Sequence, residues 1–452
     1  MQSESNNAKS KYPDATSQSA RLHRRAQQVL PGGNTRTTVF HAPYPIYAKS
    51  ANGCRITDMD GVERLDFLNN YTSLIHGHLN PGIMEAVRGQ LALGTCFANP
   101  TESEIALAEV LCRRTPSFER VRFSNSGSEA VMNAIKAARA YTGRPKIAKC
   151  EGVYHGSYDP VEVSLDSSPE SWGDHAPARV AYSAGTPQSV LDDVVVIPFN
   201  ETDLANSILE PEAESLAAVI VDIMPNRAGL IPARAEFLNM LREFTRRHGI
   251  VLIFDEVITF RNGPGGMQVE WGVEPDLTTL GKIIGGGFPV GAVAGRAEVM
   301  EVFNPGKGKP PLPHGGTFNA NPVTMVAGLA AMEQYSAPAI ARLEELGERA
   351  REVCRSAFRS AEMPGQVTGH GSLLRLHLTE SPLKSYRDAR HGAADRQRFS
   401  VLHASMLNHG VFMAPSGLMA LSTPMEEADI DRMGEALLHS LKELRRHDRE
   451  TD

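Results

Sequence analysis

Two short segments carry residue types that can do chemistry together. Lys282 follows the stretch Asp276-Leu277-Thr278-Thr279-Leu280-Gly281 and opens onto Ile283-Ile284-Gly285-Gly286-Gly287-Phe288-Pro289. A lysine set among glycines and joined to an apolar segment can be approached closely by a ligand. Upstream, Ile253-Phe254-Asp255-Glu256-Val257 is an apolar run that ends in a carboxylate. A lysine amine forms a Schiff base with the aldehyde of pyridoxal phosphate, and an acid pairs with that cofactor's pyridinium nitrogen. Such an acid favours the protonated ring, as an opposite charge does. Lys282 would then move protons as a general base, a role worth on the order of 10²–10⁴ in rate. Each piece alone has a plainer use: Asp255 as a turn residue capping the next helix, Lys282 as a solvated loop lysine or a phosphate clamp. A Walker loop is excluded, because Ile283 stands where Ser or Thr is needed, and Val290 replaces the last glycine of a GxGxxG.

Three further motifs suit the same cofactor. Ser126-Gly127-Ser128-Glu129 begins a helix expected from Ser128 to Tyr141. Hydroxyls and free N–H groups at a helix start make an anion site, and the same letters also make an ordinary N-cap. Gly152-Val153-Tyr154-His155-Gly156 offers a ring that could stack on a pyridine face, or a turn with a buried tyrosine. In His314-Gly315-Gly316-Thr317-Phe318-Asn319-Ala320-Asn321-Pro322, Thr317 is a phosphate ligand or part of a capped helix entry.

The elements that must position these residues alternate between strand and helix. Leu216 to Ile223 and Ile250 to Phe254 are continuous apolar runs suited to strands covered on both faces. Helical patterns fall between them, as at Glu236 to Arg247, which predicts an α/β domain with a mainly parallel sheet flanked by helices. Asp255 then falls at a strand's carboxyl end, where open α/β sheets bind ligands. Short strands are expected at Pro45 to Ala48 and Cys54 to Thr57, and charged helices at Ile340 to Arg359 and Glu427 to Arg446. The predicted organisation is a mobile polar arm (1–19), a segment joining the small domain (20–65), a large cofactor-binding domain (66–325) and a smaller α+β domain (326–452).

Composition narrows the class. At 41% hydrophobic and 22% charged, the 452-residue chain is neither disordered nor fibrous. A net charge of −7 spread along the chain gives no clustered basic surface for nucleic acid. No apolar run reaches membrane-spanning length, and the first seven residues are polar, so a cytoplasmic protein is expected. Five scattered cysteines without CxxC spacing fit reduced thiols better than disulfides or a zinc site.

In this order, Ser-Gly-Ser-Glu, Tyr-His-Gly, Phe-Asp-Glu-Val, Gly-Lys-x-x-Gly-Gly-Gly and Gly-Thr-Phe-Asn-Ala-Asn-Pro resemble the class III aminotransferases, enzymes of pyridoxal-phosphate fold type I. The similarity runs from about Pro31 to the final helix. Within that class the chain resembles glutamate-1-semialdehyde aminomutases and β-phenylalanine-type β-amino-acid aminotransferases. The resemblance implies a homodimer with shared active sites, an amino donor and a keto-acid acceptor. It makes Lys282 the Schiff-base lysine, Asp255 the partner of the ring nitrogen, Val257 a packing residue on the ring, and Tyr154 the stacking aromatic with His155 beside it. Ser126, Gly127 and Ser128 match the phosphate cup, and Thr317 would reach the neighbouring subunit's cofactor phosphate.

On the substrate side, Arg36 in Pro31-Gly32-Gly33-Asn34-Thr35-Arg36 matches the arginine that holds a substrate carboxylate, a task suited to a two-pronged donor. Three departures stand out: Ser416 where those relatives place a second arginine, Asp222-Ile223 for the usual Glu-Pro, and Pro225 where Gln often touches the cofactor hydroxyl. Arg227 is either an anion-binding cation or a salt-bridged loop residue, and His76 is a candidate for the substrate side. The expected activity is transfer of an amino group from a β-amino acid or related carboxylate-bearing amine to a keto acid. The alternatives are an aminomutase or ammonia-lyase using the same lysine. A cofactor-binding regulator would need an appended basic DNA-binding module, and the N-terminal arm is too short for one.

Overall fold

In the computed structural model, which describes residues 11–451, the two ends of the chain share a sheet. β1 (Ala48–Asn52), β2 (Arg55–Asp58) and β3 (Glu63–Asp66) form an antiparallel meander. The first strand starts later than expected, beyond Pro43 and Pro45, which have no N–H to give a ladder. The arm expected up to Ser19 is packed over its described part; residues 1–10 lie outside the described residues. Tyr12 is buried, its N–H donates to Asn408 Oδ1 (2.7 Å), and its hydroxyl donates to the Tyr44 carbonyl (2.7 Å). One large aromatic outweighs the polarity around it.

The central sheet contains β4 (Arg120–Ser124), β5 (Lys146–Cys150), β6 (Val194–Ile197), β7 (Leu216–Val221), β8 (Val251–Asp255), β9 (Leu277–Gly281) and β10 (Gly291–Gly295). Its order is β4-β10-β9-β8-β7-β5-β6. From β9 to β6 all pairings are parallel, while β10 is antiparallel to both neighbours. The apolar runs of β7 and β8 are buried on both faces, as a sheet sandwiched by helices requires. The helix Gly127–Thr142 lies across β7, β9 and β10, ending at left-handed Gly143. Because the strands run together, the carboxyl ends of β5, β7, β8 and β9 form one rim.

The C-terminal part holds β11 (Gln366–Thr368), β12 (Leu373–His377), β13 (Val411–Phe412) and β14 (Leu418–Ala420). β11, β12 and β14 make an antiparallel sheet, and β13 pairs in parallel with β3. Helices Ala337–Ala361, Ala393–Asn408 and Glu427–Thr451 pack over this region. No helix among the described residues is long and apolar enough to cross a membrane.

Between β3 and the central sheet, Asn69, Asn70, Tyr71 and Thr72 all have left-handed backbones, with φ of 50°, 48°, 53° and 73°. Such a turn costs roughly 1–2 kcal/mol per residue for L-amino acids, so its surroundings must hold it. Asp66 Oδ1 accepts from the N–H groups of Leu68 (2.9 Å) and Asn69 (2.8 Å), and Asn69 Nδ2 donates to the Ala420 carbonyl (2.7 Å). The Tyr71 hydroxyl donates to the Thr38 carbonyl, and Arg261 Nη1 donates to that of Thr72 (3.0 Å).

Gly291, where β10 begins, ties the sheet to the loop before the Gly127–Thr142 helix. A Cβ there would stand 1.9 Å from the Ser126 carbonyl oxygen, a backbone atom that cannot swing aside. Gly291→Ala is therefore expected to destabilise the protein by roughly 1–3 kcal/mol, seen as a lowered urea midpoint. An unchanged midpoint would mean that the loop yields freely.

Candidate active site

β4, β5, β7, β8 and β9 each deliver a chemical group to the shared rim. After β4, Ser126 Oγ accepts from the Glu129 N–H (3.1 Å), and Glu129 Oε2 accepts from that of Asn125 (2.6 Å). The N-cap is thus in place, while the N–H groups of Gly127 and Ser128 remain for an anion. The two uses of this motif coexist.

After β5, the turn through Tyr154 brings His155 inward. His155 Nδ1 lies 2.7 Å from Asp255 Oδ2 at the end of β8, and both residues are buried. Asp255 Oδ1 accepts from the Thr279 hydroxyl (3.0 Å) and the Val257 N–H (3.1 Å). With the carboxylate as acceptor, His155 carries its proton on Nδ1, and Nε2 is buried without a protein partner. Burial pushes the His155 pKa down, and the bond to Asp255 opposes that. Adjacent Glu256 is spent on structure, accepting from Met267 N (2.7 Å), Gln268 Nε2 (2.8 Å) and Thr259 Oγ1 (3.2 Å).

Lys282 follows β9 directly and has φ of 49°, a strained setting for a residue with a side chain. Burial pulls its pKa down to about 8, against the carboxylates of Asp255 and Asp222 and with help from Arg261. Asp222, just past β7, is buried too. Burial and then the Asp255 charge push its carboxyl well above the ordinary range, and Lys282 opposes them. Val257 joins these pieces: a Cβ at Gly127 would stand 3.1 Å from its methyl group, and one at Gly281 3.4 Å. At Gly127 a side chain would press on Val257, whereas at Gly281 a Cβ would make an ordinary contact with it.

These groups fit pyridoxal phosphate. They supply a low-pKa amine, a buried carboxylate whose Oδ2 has one partner, His155, and can accept a further bond, and free N–H donors at a helix start. Ser126, Gly127, Ser128, His155, Asp255, Val257 and Lys282 come together around the rim. Tyr154 is there too, 51% exposed, and Thr317 is exposed on its loop. That loop is tethered nearby by Asn319 Oδ1, which accepts from Asn125 Nδ2 (2.7 Å).

The substrate-side candidates divide. Arg36 is exposed, and its Nη1 donates to Asn70 Oδ1 (2.9 Å) on the left-handed turn. Arg227 is salt-bridged to Asp166 (2.5 Å), the plainer of its two uses. His76 does not belong with them. It is buried, with Nδ1 at 3.0 Å from Thr423 Oγ1 and Nε2 at 2.9 Å from the Ala331 carbonyl. With both nitrogens engaged, it braces the turn region instead of lining a substrate pocket.

Sequence reasoning missed one contributor to the site, Thr279, and one buried cation outside it, Lys149. Thr279 carries no role as one letter of the stretch before Lys282, because that role needs the pairing of Asp255 opposite Thr279 across β8 and β9. Lys149 is fully buried, donating to the carbonyls of Cys150 (3.0 Å) and Val163 (2.9 Å) and held at a pKa of about 7 by burial. Nothing in Lys146-Ile147-Ala148-Lys149-Cys150 separates it from a surface lysine.

Residues 38–441 match the family model described as aminotransferase class-III. The glutamate-1-semialdehyde 2,1-aminomutase of Methanothermobacter thermautotrophicus is 40% identical over 399 residues, 88% of this chain and 92% of that protein. Among solved structures, an omega-transaminase from Sphaerobacter thermophilus is 54% identical with a TM-score of 0.94, covering 96% of this chain and 99% of its own. A β-phenylalanine aminotransferase from Variovorax paradoxus is 35% identical with a TM-score of 0.84, covering 93% of each chain.

The Lys282 environment gives a pH prediction. The uncharged amine is the nucleophile, so cofactor capture by the apoprotein should rise about tenfold per pH unit below 8 and level off above it. Stopped-flow absorbance after adding pyridoxal phosphate reads this. A rate still climbing steeply past pH 9 would show that the amine is not held at a lowered pKa.

Proposed function

The chain belongs to the class-III aminotransferase family, and from that premise we propose that it moves an amino group from a β-amino acid, or a related carboxylate-bearing amine, to a keto acid. The architecture is that of fold type I and the cofactor is pyridoxal phosphate. When bound, that group supplies an electron sink for the carbon bearing the donor amine.

The protein's own residues do the rest. Lys282 Nζ would be the group that holds the cofactor covalently and the base that would take the proton from the amine-bearing carbon of the donor. Its lowered pKa suits this, because a base works best near the operating pH. Asp255 would pair with the ring nitrogen of the cofactor, and the bonds from His155 and Thr279 keep its carboxyl oriented. The Gly127 and Ser128 N–H groups would hold the phosphate, and Tyr154 would cover a ring face.

The single observation behind a carboxylate-bearing donor is Arg36. Its guanidinium is exposed, bonded to the neutral amide of Asn70 and to no carboxylate among the described residues. The likeness to an omega-transaminase and a β-phenylalanine aminotransferase supports the same donor class. A second copy of the chain would complete the site, covering exposed Tyr154 and bringing Thr317 to the opposite cofactor. The second reading, an aminomutase, is favoured by the 40% identity to the Methanothermobacter protein.

Single-turnover absorbance on cofactor-loaded protein, with β-amino acids and no keto acid, separates the two. Transamination converts the cofactor stoichiometrically to its amino form and releases a keto product. Repeated turnover giving an isomerised amine or ammonia would move the assignment to mutase or lyase. Lys282→Ala is expected to abolish turnover and borohydride-stable attachment of the cofactor; retained turnover would overturn the mechanism. Arg36→Ala is expected to raise KM roughly 10- to 150-fold for carboxylate donors, and little for simple amines. An equal effect on both classes would mean that Arg36 does not read the carboxylate.

A further inference from the structure

The loop that carries Thr317 has few ties to the rest of the protein. Its last outward backbone bond runs from the Leu312 N–H to the Val302 carbonyl (2.9 Å). Beyond that, the Asn319 N–H donates to the Gly316 carbonyl and the Asn321 N–H to that of Phe318, both inside the loop. Gly315, Gly316, Thr317 and Phe318 are all exposed. Among the described residues, the outward hydrogen bonds from here to the helix beginning at Pro322 come from two side chains, His314 and Asn319.

His314 reaches both elements that flank the phosphate-cup residues Ser126, Gly127 and Ser128. Its Nδ1 accepts from Arg122 Nε (3.0 Å), in the middle of β4, the strand that leads into Ser126. The ring proton therefore sits on Nε2, which faces the side-chain amides of Asn133 and Asn319, each at 3.3 Å. Asn319 Oδ1 is taken by Asn125, so Asn133 is the amide that turns its oxygen to this N–H. Asn133 is buried in the Gly127–Thr142 helix, which follows the cup. Phe303 backs the arrangement. Its ring meets the imidazole at 68° with centroids 5.8 Å apart, and the Arg122 guanidinium lies 5.6 Å from its centre.

The ring can do this only while neutral, because a second proton on Nδ1 would face the Arg122 donor. Burial and then the Arg122 charge hold the His314 pKa below the ordinary 6.5; Glu129 opposes them and Lys136 sides with them. We propose that His314 is a positioning residue for the cofactor phosphate, clasping the Thr317 loop to the two elements that form the cup. The inference rests on the reading above, in which Thr317 reaches the phosphate of the opposite cofactor in a pair of chains. A loop already held in place gives up less freedom when the phosphate arrives, so the clasp adds affinity through preorganisation. It acts on the phosphate end alone.

Cofactor retention reads the clasp without turnover. Equilibrium dialysis of the holoenzyme gives the dissociation constant of pyridoxal phosphate, and protein reloaded with pyridoxal, which lacks the phosphate, is the control. His314→Ala should raise the constant for pyridoxal phosphate roughly 5- to 30-fold, the weight of one or two lost hydrogen bonds, and leave that for pyridoxal nearly unchanged. An equal change for both would mean that His314 merely supports the fold, and would overturn the proposal. His314→Gln keeps an acceptor and a donor at every pH, so at neutral pH it should retain pyridoxal phosphate nearly as the wild type does. As pH falls below about 6.5, the wild type should show an extra loss of retention that the glutamine variant lacks. Matching acid limbs in the two proteins would also overturn the clasp, and this comparison stands if the alanine variant does not fold. Thr317→Val isolates the premise: unchanged retention there would show that Thr317 holds no phosphate, and the proposal would fall with that reading. Weakened retention with Thr317→Val but not with His314→Ala would keep the reading and remove the clasp.

Discussion

A carboxylate buried at the end of a strand must have its oxygens occupied, and Asp255 meets this requirement with donors from three pieces of chain. His155 arrives from the loop after β5, Thr279 from the facing strand, and the Val257 N–H from the next turn. Each donor fixes more than itself. The Thr279 hydroxyl sets the register of β9 against β8, and a one-residue slip would turn it to the other face. Lys282 follows three residues later, so the bond that satisfies Asp255 also places the amine. His155 in turn anchors the loop that presents Tyr154.

Much of this was legible in the sequence because it depends on local letters. The apolar runs of β7 and β8, the helix after Ser126 and the glycines around Lys282 mark their elements directly. The order Ser-Gly-Ser-Glu to Gly-Thr-Phe-Asn-Ala-Asn-Pro carries the family. What stayed hidden depends on pairing between distant strands. Thr279 matters only through its place opposite Asp255. His76 misled because a histidine between glycines looks the same whether its ring nitrogens are free or engaged. Tyr12 misled in the opposite sense, a lone anchor inside a polar stretch.

Three buried cations show how differently this protein treats the same electrostatic burden. Arg261 is surrounded by oxygens: the Ser372 hydroxyl and the carbonyls of Thr72 and Leu421 accept from it, so it stitches the central region to the C-terminal sheet. Lys149 gives two of its hydrogens to carbonyls, and burial brings it to a pKa near 7, where losing its charge is easy. Arg375, on β12, is met less completely: its Nη1 donates to the Asn226 carbonyl, while its Nε is buried without a partner.

The left-handed turn at Asn69–Thr72 also bears on the order in which the chain assembles. Its supports come from all along the sequence: Arg36 and Thr38 before it, Arg261 well after it, and Ala420, 351 residues from Asn69. Contacts of such long separation form late, because chain closure must precede the gain they bring. During synthesis the central sheet can therefore fold while the turn still lacks its tie to Ala420, which forms only after residue 420 has left the ribosome. A half-made chain would then hold the parallel strands without a settled turn beside them.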